Sequence, residues 1–135
     1  MKRQLKRSVN RWKRRTAVGI TSQVPKMLEQ KAPNQAPRHW VLIDVDDRDK
    51  LYKVVLWMRT FETNYLLWES PHGLHGVVLF QCTFKRALDL ASECPGVDRK
   101  WLQIGKKRGY LFLATYKMMA SNLFTYMVIF RGKKK

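Results

Sequence analysis

The chain has 135 residues, of which 27 are Lys or Arg and 10 are Asp or Glu, a formal net charge of +17, with 45% hydrophobic and 12% aromatic residues. A typical domain holds roughly 100–200 residues, so this length allows one folded body with appendages and excludes a second, cofactor-binding domain, while the apolar content excludes a purely disordered basic tail. No stretch approaches the ~18 consecutive apolar residues of a spanning helix, the first residues lack the apolar core of a secretory signal, and Cys82 and Cys94 are too few for a disulfide framework or a zinc site; a soluble, cytoplasmic protein with reduced thiols and no membrane partner is expected.

Lys2 to Arg15 sets Leu5, Val9 and Trp12 at helical spacing among basic residues, which predicts a short helix with a narrow apolar stripe. Ala17 to Pro37, with Pro25, Pro33 and Pro37 among Gln, Asn and Ser, predicts an extended peptide that crosses a surface. Residues 1–37 therefore form a basic N-terminal extension, residues 38–130 an α+β domain and residues 131–135 a basic C-terminal tail. The two arms carry thirteen of the seventeen excess positive charges, and the domain between them is only mildly basic.

Within the domain, His39 to Asp46 is an apolar β-type run, and Asp47 or Asp49 can cap a helix over about Arg48 to Thr63 with Leu51, Val54, Val55, Met58 and Phe61 on one face. Tyr65 to Glu69 predicts a strand, Ser70 to Gly73 a turn, and Leu74 to Gln81 a second strand. Thr83 is an N-cap for a helix over Phe84 to Ser92, ended by Cys94-Pro95-Gly96. Trp101 to Ile104 and Tyr110 to Tyr116 read as two strands around a basic hairpin tip, Gly105 to Gly109, and Leu123 to Phe130 as a last strand. The order is that of a ferredoxin-like or RRM-like β-α-β-β-α-β sandwich with an extra C-terminal strand, the strand after the second helix being either 101–104 or 110–116, and one sheet face open.

Such a build, a small body with long basic, Pro-interrupted arms, resembles many ribosomal proteins. It points to a structural RNA-binding protein, a ribosomal or other ribonucleoprotein component with rRNA and neighbouring proteins as partners, no small-molecule substrate and no cofactor. Each Lys or Arg that neutralises a phosphate releases condensed counterions, and the residues expected to do so are Lys2, Arg3, Lys6, Arg7, Arg11, Lys13, Arg14 and Arg15 in the first arm, Lys133, Lys134 and Lys135 in the second, and Lys106, Lys107 and Arg108 at the hairpin tip, where Trp101 and Tyr110 offer stacking surface. Charge alone does not separate RNA from DNA.

A different chemistry is suggested by the first strand. Alternation puts Val41, Ile43 and Val45 on one side and Leu42, Asp44 and Asp46 on the other, so two carboxylates share a surface roughly 6–7 Å apart. Such a pair repels itself unless a hard cation such as Mg²⁺ or a basic group neutralises it; alternatively Asp44 pairs with a Lys or Arg of a neighbouring strand while Asp46 and Asp47 cap the helix. Asp44-Val45-Asp46, followed by Ser70-Pro71-His72-Gly73-Leu74-His75, resembles the D-x-D and S-x-x-G-x-H motifs of the archaeo-eukaryotic primase (primase-polymerase) superfamily. The resemblance, over about residues 40–115, implies an RRM-like core and a minimal Mg²⁺-dependent nucleotidyltransferase. It further implies that Asp44 and Asp46 hold metal, that His75 contacts nucleotide phosphates, and that a third acid, nearest matched by Asp98, completes the site.

Overall fold

The computed structural model describes residues 19–114 and 127–130. Among them the architecture is α+β, with two antiparallel sheets and three α-helices. Strand β1 (Gly19–Thr21) leads through a 3₁₀ turn (Lys26–Leu28) to β2 (His39–Val45). A second 3₁₀ turn (Arg48–Lys50) opens helix α1 (Leu51–Arg59), followed by β3 (Tyr65–Glu69), β4 (Leu74–Cys82), α2 (Phe84–Ser92), α3 (Arg99–Arg108), β5 (Phe112–Ala114) and β6 (Met127–Phe130).

The larger sheet runs in the order β2-β4-β3-β6, and β1 pairs with β5 in a two-stranded sheet. β3 and β4 form a hairpin across the turn at 70–73, and β2 lies antiparallel to β4 with Val45 opposite Leu74 and Asp44 opposite His75. The strands are β-branched and apolar because both faces of the sheet are covered: Val41, Ile43 and Val45 on one face and Leu42, Val77 and Trp68 on the other are all at most 1% exposed. On the first face Met58 of α1 lies against Gly76. The second face, expected to be open, is instead covered where β5, with Leu111 and Leu113 buried, comes against β2. No helix is long and apolar enough to cross a membrane among the described residues.

The start of α1 is a composite. Asp47 caps the 3₁₀ turn by accepting from the Asp49 N–H (2.9 Å), and only then does the α-helix begin, ending by Thr60 rather than at Thr63. Val54 and Met58 point inward as their spacing predicts, whereas Leu51 is 44% exposed because it sits in the turn between the two helix types. Helix α2 follows the sequence reading, with Thr83 Oγ1 accepting from the Arg86 N–H (3.3 Å) and Ala87 and Ala91 buried.

The largest departure is at 99–109. The expected strand at 101–104 and basic hairpin tip are one helix, α3, capped by Asp98, whose carboxylate accepts from the Lys100 and Trp101 N–H groups, and closed by Gly109 in the left-handed conformation (φ 89°). Lys106, Lys107 and Arg108 therefore occupy the last turn of a helix, where cations suit the macrodipole. The other expected strands are shorter: β5 is Phe112–Ala114, and β6 is Met127–Phe130, paired with β3. The expected helix over residues 2–15 and the tail at 131–135 lie outside the described residues.

Residues 19–24 are tied to the body by a buried hub. Ser22, fully buried, accepts at Oγ from the Leu111 N–H (2.9 Å), so its hydroxyl proton is directed to His39 Nδ1 (2.9 Å), while its carbonyl accepts from the Trp40 N–H (2.7 Å). This geometry suits neutral His39, and burial pushes its imidazole below the usual value, with Glu29 acting in the opposite direction. The unfolded chain takes up a proton near 6.5 while the folded chain resists it, so stability declines as pH falls below that value. The urea midpoint is expected to drop between neutral and mildly acidic pH, and His39→Gln to lose that part of the drop; equal pH dependence in the two proteins would exclude this role. The thiols are equally shielded: Cys94 is pushed up to about 12 by burial, and Cys82 is raised by burial against the opposing pull of Arg86 and Arg38. Both are free.

Candidate metal centre

Two local devices bring the acidic strand end and the histidine hairpin together. In the turn at 70–73, the buried Ser70 donates its N–H to the Gly73 carbonyl (2.9 Å) and accepts at Oγ from the Gly73 N–H (3.0 Å). Arg48 holds the outside of the turn by donating to the Ser70 and Pro71 carbonyls (2.9 Å each). Gly73 lies so close to the backbone of Val45 and Asp46 that an added Cβ would meet the Val45 carbonyl oxygen. Contact at this point sets the β2–β4 register, and the register puts His75 directly across from Asp44, with Nε2 3.4 Å from Oδ1. On its other side His75 meets the edge of Trp68, with ring centroids 5.8 Å apart and nearly perpendicular.

The second device recruits Asp98. Past α2, Val97 makes a single antiparallel bridge to Val45, and the Asp98 N–H donates to the Asp44 carbonyl (2.8 Å). Asp44 and Asp98, half-buried, and Asp46, exposed, thereby offer one oxygen each, all within 4.8 Å of one another. The structure thus unites the four residues Asp44, Asp46, Asp98 and His75. The alternative pairing of Asp44 with a Lys or Arg is not what forms: its ion-pair contact among the described residues is His75. Nor does Asp46 cap a helix; Asp47 does so alone.

Carboxylates ~5 Å apart repel by about 1 kcal/mol in watery surroundings and several-fold more where water is displaced. Asp46 carries that strain. Its carboxyl is held above the ordinary value by desolvation, then by the charges of Asp98 and Asp44 and a hydrogen bond with Asp98, with His72 opposing. The donor set consists of hard oxygens in a cleft of like charge, which fits a hard divalent cation such as Mg²⁺ or Mn²⁺; bound there by the three carboxylates, the cation would neutralise phosphate charge. His72 stands near Asp46 but outside the ligand-distance cluster.

Because its folded-state value is raised, ionised Asp46 costs stability at pH above 3.8, and protonation relieves that cost as pH falls. Asp46→Asn is therefore expected to melt slightly higher than the natural chain without divalent cations, and to lose the further rise that Mn²⁺ gives the natural chain. A Mn²⁺-induced rise of equal size in both proteins would show that the trio does not hold the cation.

Beside Asp44 and His75 a cavity of about 260 Å³ opens, walled by Trp101, Ile104 and Arg108 of α3 and by Phe112. Trp101 is fixed there by donating its indole N–H to the Phe112 carbonyl (2.8 Å), and Arg108 lies over the Tyr110 ring, 4.9 Å from its centroid. The helical placement of Ile104 and Arg108 next to the carboxylates could not be read from a sequence interpreted as a hairpin; the overlooked sign was Asp98 as N-cap with Gly109 as helix end. Of the expected phosphate-binding residues, Lys106, Lys107 and Arg108 are exposed, whereas Lys2 to Arg15 and Lys133 to Lys135 lie outside the described residues. Comparison of the chain with protein-family models, curated proteins and solved structures finds no match.

Proposed function

We propose that this protein is a divalent-metal-dependent nucleotidyltransferase of primase type acting on nucleic acid, built on a ferredoxin-like core in which β2, β4 and the segment between α2 and α3 carry the site and β6 extends the sheet. The observation that supports this reading is the convergence of Asp98 on the Asp44–Asp46 pair, within 4.8 Å, beside His75. These are the residues matched to the D-x-D, histidine and third-acid positions of the primase resemblance, and they arrive from three separate stretches of chain. Asp44, Asp46 and Asp98 hold the cation, which supplies charge neutralisation at the transferred phosphate. His75, braced between Asp44 and Trp68, orients a phosphate next to them, and the +17 charge of the chain retains the polyanion.

The test is incorporation of nucleoside triphosphates on a single-stranded template with Mg²⁺ or Mn²⁺. Template-dependent products are expected, and their absence with every divalent metal removes the enzyme reading. A structural RNA-binding role, in a ribosomal or similar ribonucleoprotein, is the second reading, favoured by the concentration of thirteen excess charges in the two arms. Co-sedimentation with ribosomal subunits that survives moderate salt, in a protein without metal-dependent incorporation, would select it.

A further inference from the structure

Helix α3 is the most cationic element among the described residues, with Arg99, Lys100, Lys106, Lys107 and Arg108 in ten residues and no acid. The last three suit a helix C-terminus, whereas Arg99 and Lys100 stand in the first turn, where the macrodipole disfavours cations and the acidic group at hand is the N-cap, Asp98, with the carboxylates it joins. Leu102 and Gly105 are buried and Trp101 is half-buried, while the helix's outer face is exposed among the described residues, and along it Lys100, Ile104 and Lys107 follow at i, i+4 and i+7 with Arg108 beside them. Ile104 is 53% exposed in the middle of this cationic row. The row begins at Asp98, and its inner edge, Ile104 and Arg108, forms the wall of the cavity that reaches Asp44 and His75.

Cations alone would serve a duplex, which hides its base faces. Cations interleaved with an exposed aliphatic side chain and a half-buried indole match a strand whose bases are uncovered, for which a basic track with apolar and aromatic platforms is the usual binding chemistry. Lys100 and Lys107 are roughly 10 Å apart by helical rise, about three phosphates of a stacked strand. We infer that the outer face of α3 is the docking strip for a single-stranded nucleic acid: Lys100 holds one phosphate, Lys107 and Arg108 hold phosphates about three positions along the strand, and a base between them rests on Ile104 and Trp101 at the mouth of the cavity. This rests on the reading that the carboxylate centre acts on nucleic acid, and it gives that centre a direction of approach, along α3 towards Asp98.

The test uses the full chain in EDTA, so that strand docking is read apart from the metal centre, with fluorescence anisotropy of a labelled oligothymidylate, an oligouridylate and a duplex of equal length across a salt series. Lys100→Gln/Lys107→Gln/Arg108→Gln is expected to weaken binding of the single strands by about tenfold or more and to flatten the slope of log affinity against log salt by about 2, the value for three lost phosphate contacts. A charge-matched control, Lys26→Gln/Lys53→Gln/Lys85→Gln, is expected to change the slope far less. Equal losses in the two triple variants, or a duplex that binds and loses as much as the single strands, overturn the inference. A strand carrying 5-iodouracil provides a readout independent of affinity: photocrosslinks at Trp101 or Tyr110 are expected, and crosslinks confined to residues 1–18 and 131–135 overturn it. A chain that passes these tests but incorporates no nucleotide would keep the docking strip and lose the enzyme reading. Incorporation with no effect of the α3 substitutions would do the reverse.

Discussion

Asp44→Asn is expected to lower metal-dependent nucleotide incorporation by a factor on the order of 10³, the scale on which loss of one charge-stabilising group is felt in other active sites. The substitution is nearly isosteric, and the backbone contribution of the position survives it, because the carbonyl that accepts from Asp98 is unchanged. What is lost is one of the three carboxylates that would surround the proposed cation and the charged partner of His75. Circular dichroism and the melting midpoint should therefore match those of the natural chain while Mn²⁺ binding and incorporation collapse together. An Asp44→Asn protein that incorporates nucleotide at the natural rate would dissociate the carboxylates from the chemistry.

The second large effect is structural. Gly73→Ala drives a methyl group into the Val45 carbonyl oxygen and the Asp46 backbone, with 2.8 Å to the Asp46 Cα. Both neighbours are main chain, Val45 at the end of a paired strand and Asp46 in the bend directly after it, and neither can swing aside as a side chain would. Ordinary overpacking costs about 1–3 kcal/mol, and a clash with backbone falls at the top of that range or above it, about 3 kcal/mol or more. Against a typical stability of roughly 5–15 kcal/mol, that is a substantial fraction. The comparison that isolates the cause is Gly109→Ala: Gly109 has a left-handed φ of 89° but nothing within 4 Å of the added Cβ, so only the conformational penalty of about 1 kcal/mol applies. Chemical denaturation should rank natural chain, Gly109→Ala and Gly73→Ala in descending order, with Mn²⁺ affinity lost only in the last. If Gly73→Ala were as stable as Gly109→Ala, the close approach of the two strands would not be what fixes the site.

The parts of the fold that were legible share a local cause. β2, β3 and β4 announce themselves by apolar runs bounded by turn residues, and α2 by a threonine cap before a periodic apolar face. Asp44 follows from strand alternation and His75 from its position after a Ser-to-Gly turn, whereas Asp46, expected on the same strand, lies in the bend just after β2, which ends at Val45. The misread segment, 99–109, fails for a non-local reason. Gly105 looks like one end of a hairpin tip, yet it sits inside α3 because Leu111 of the returning chain packs against it, where an added Cβ would meet the Leu111 side chain. That tertiary requirement outweighs the poor helix propensity of glycine. Asp98 matches the third acid only through the primase resemblance, because its delivery depends on one isolated bridge between Val45 and Val97, which has no periodicity to betray it. β1 is likewise three residues long and owes its existence to β5 and the Ser22 hub rather than to its own composition.

Asp98 belongs to two structures at once. The carboxylate that joins the acidic trio also receives the Lys100 and Trp101 amides that begin α3. The first turn of the helix and the acidic trio are therefore fastened through one side chain, like two levers on a common pin. On the proposed function, a strand pulling on Lys100 and a cation settling among the carboxylates would load the same joint, and a polymer seated along the helix and a charged centre ready for it would become a single mechanical event.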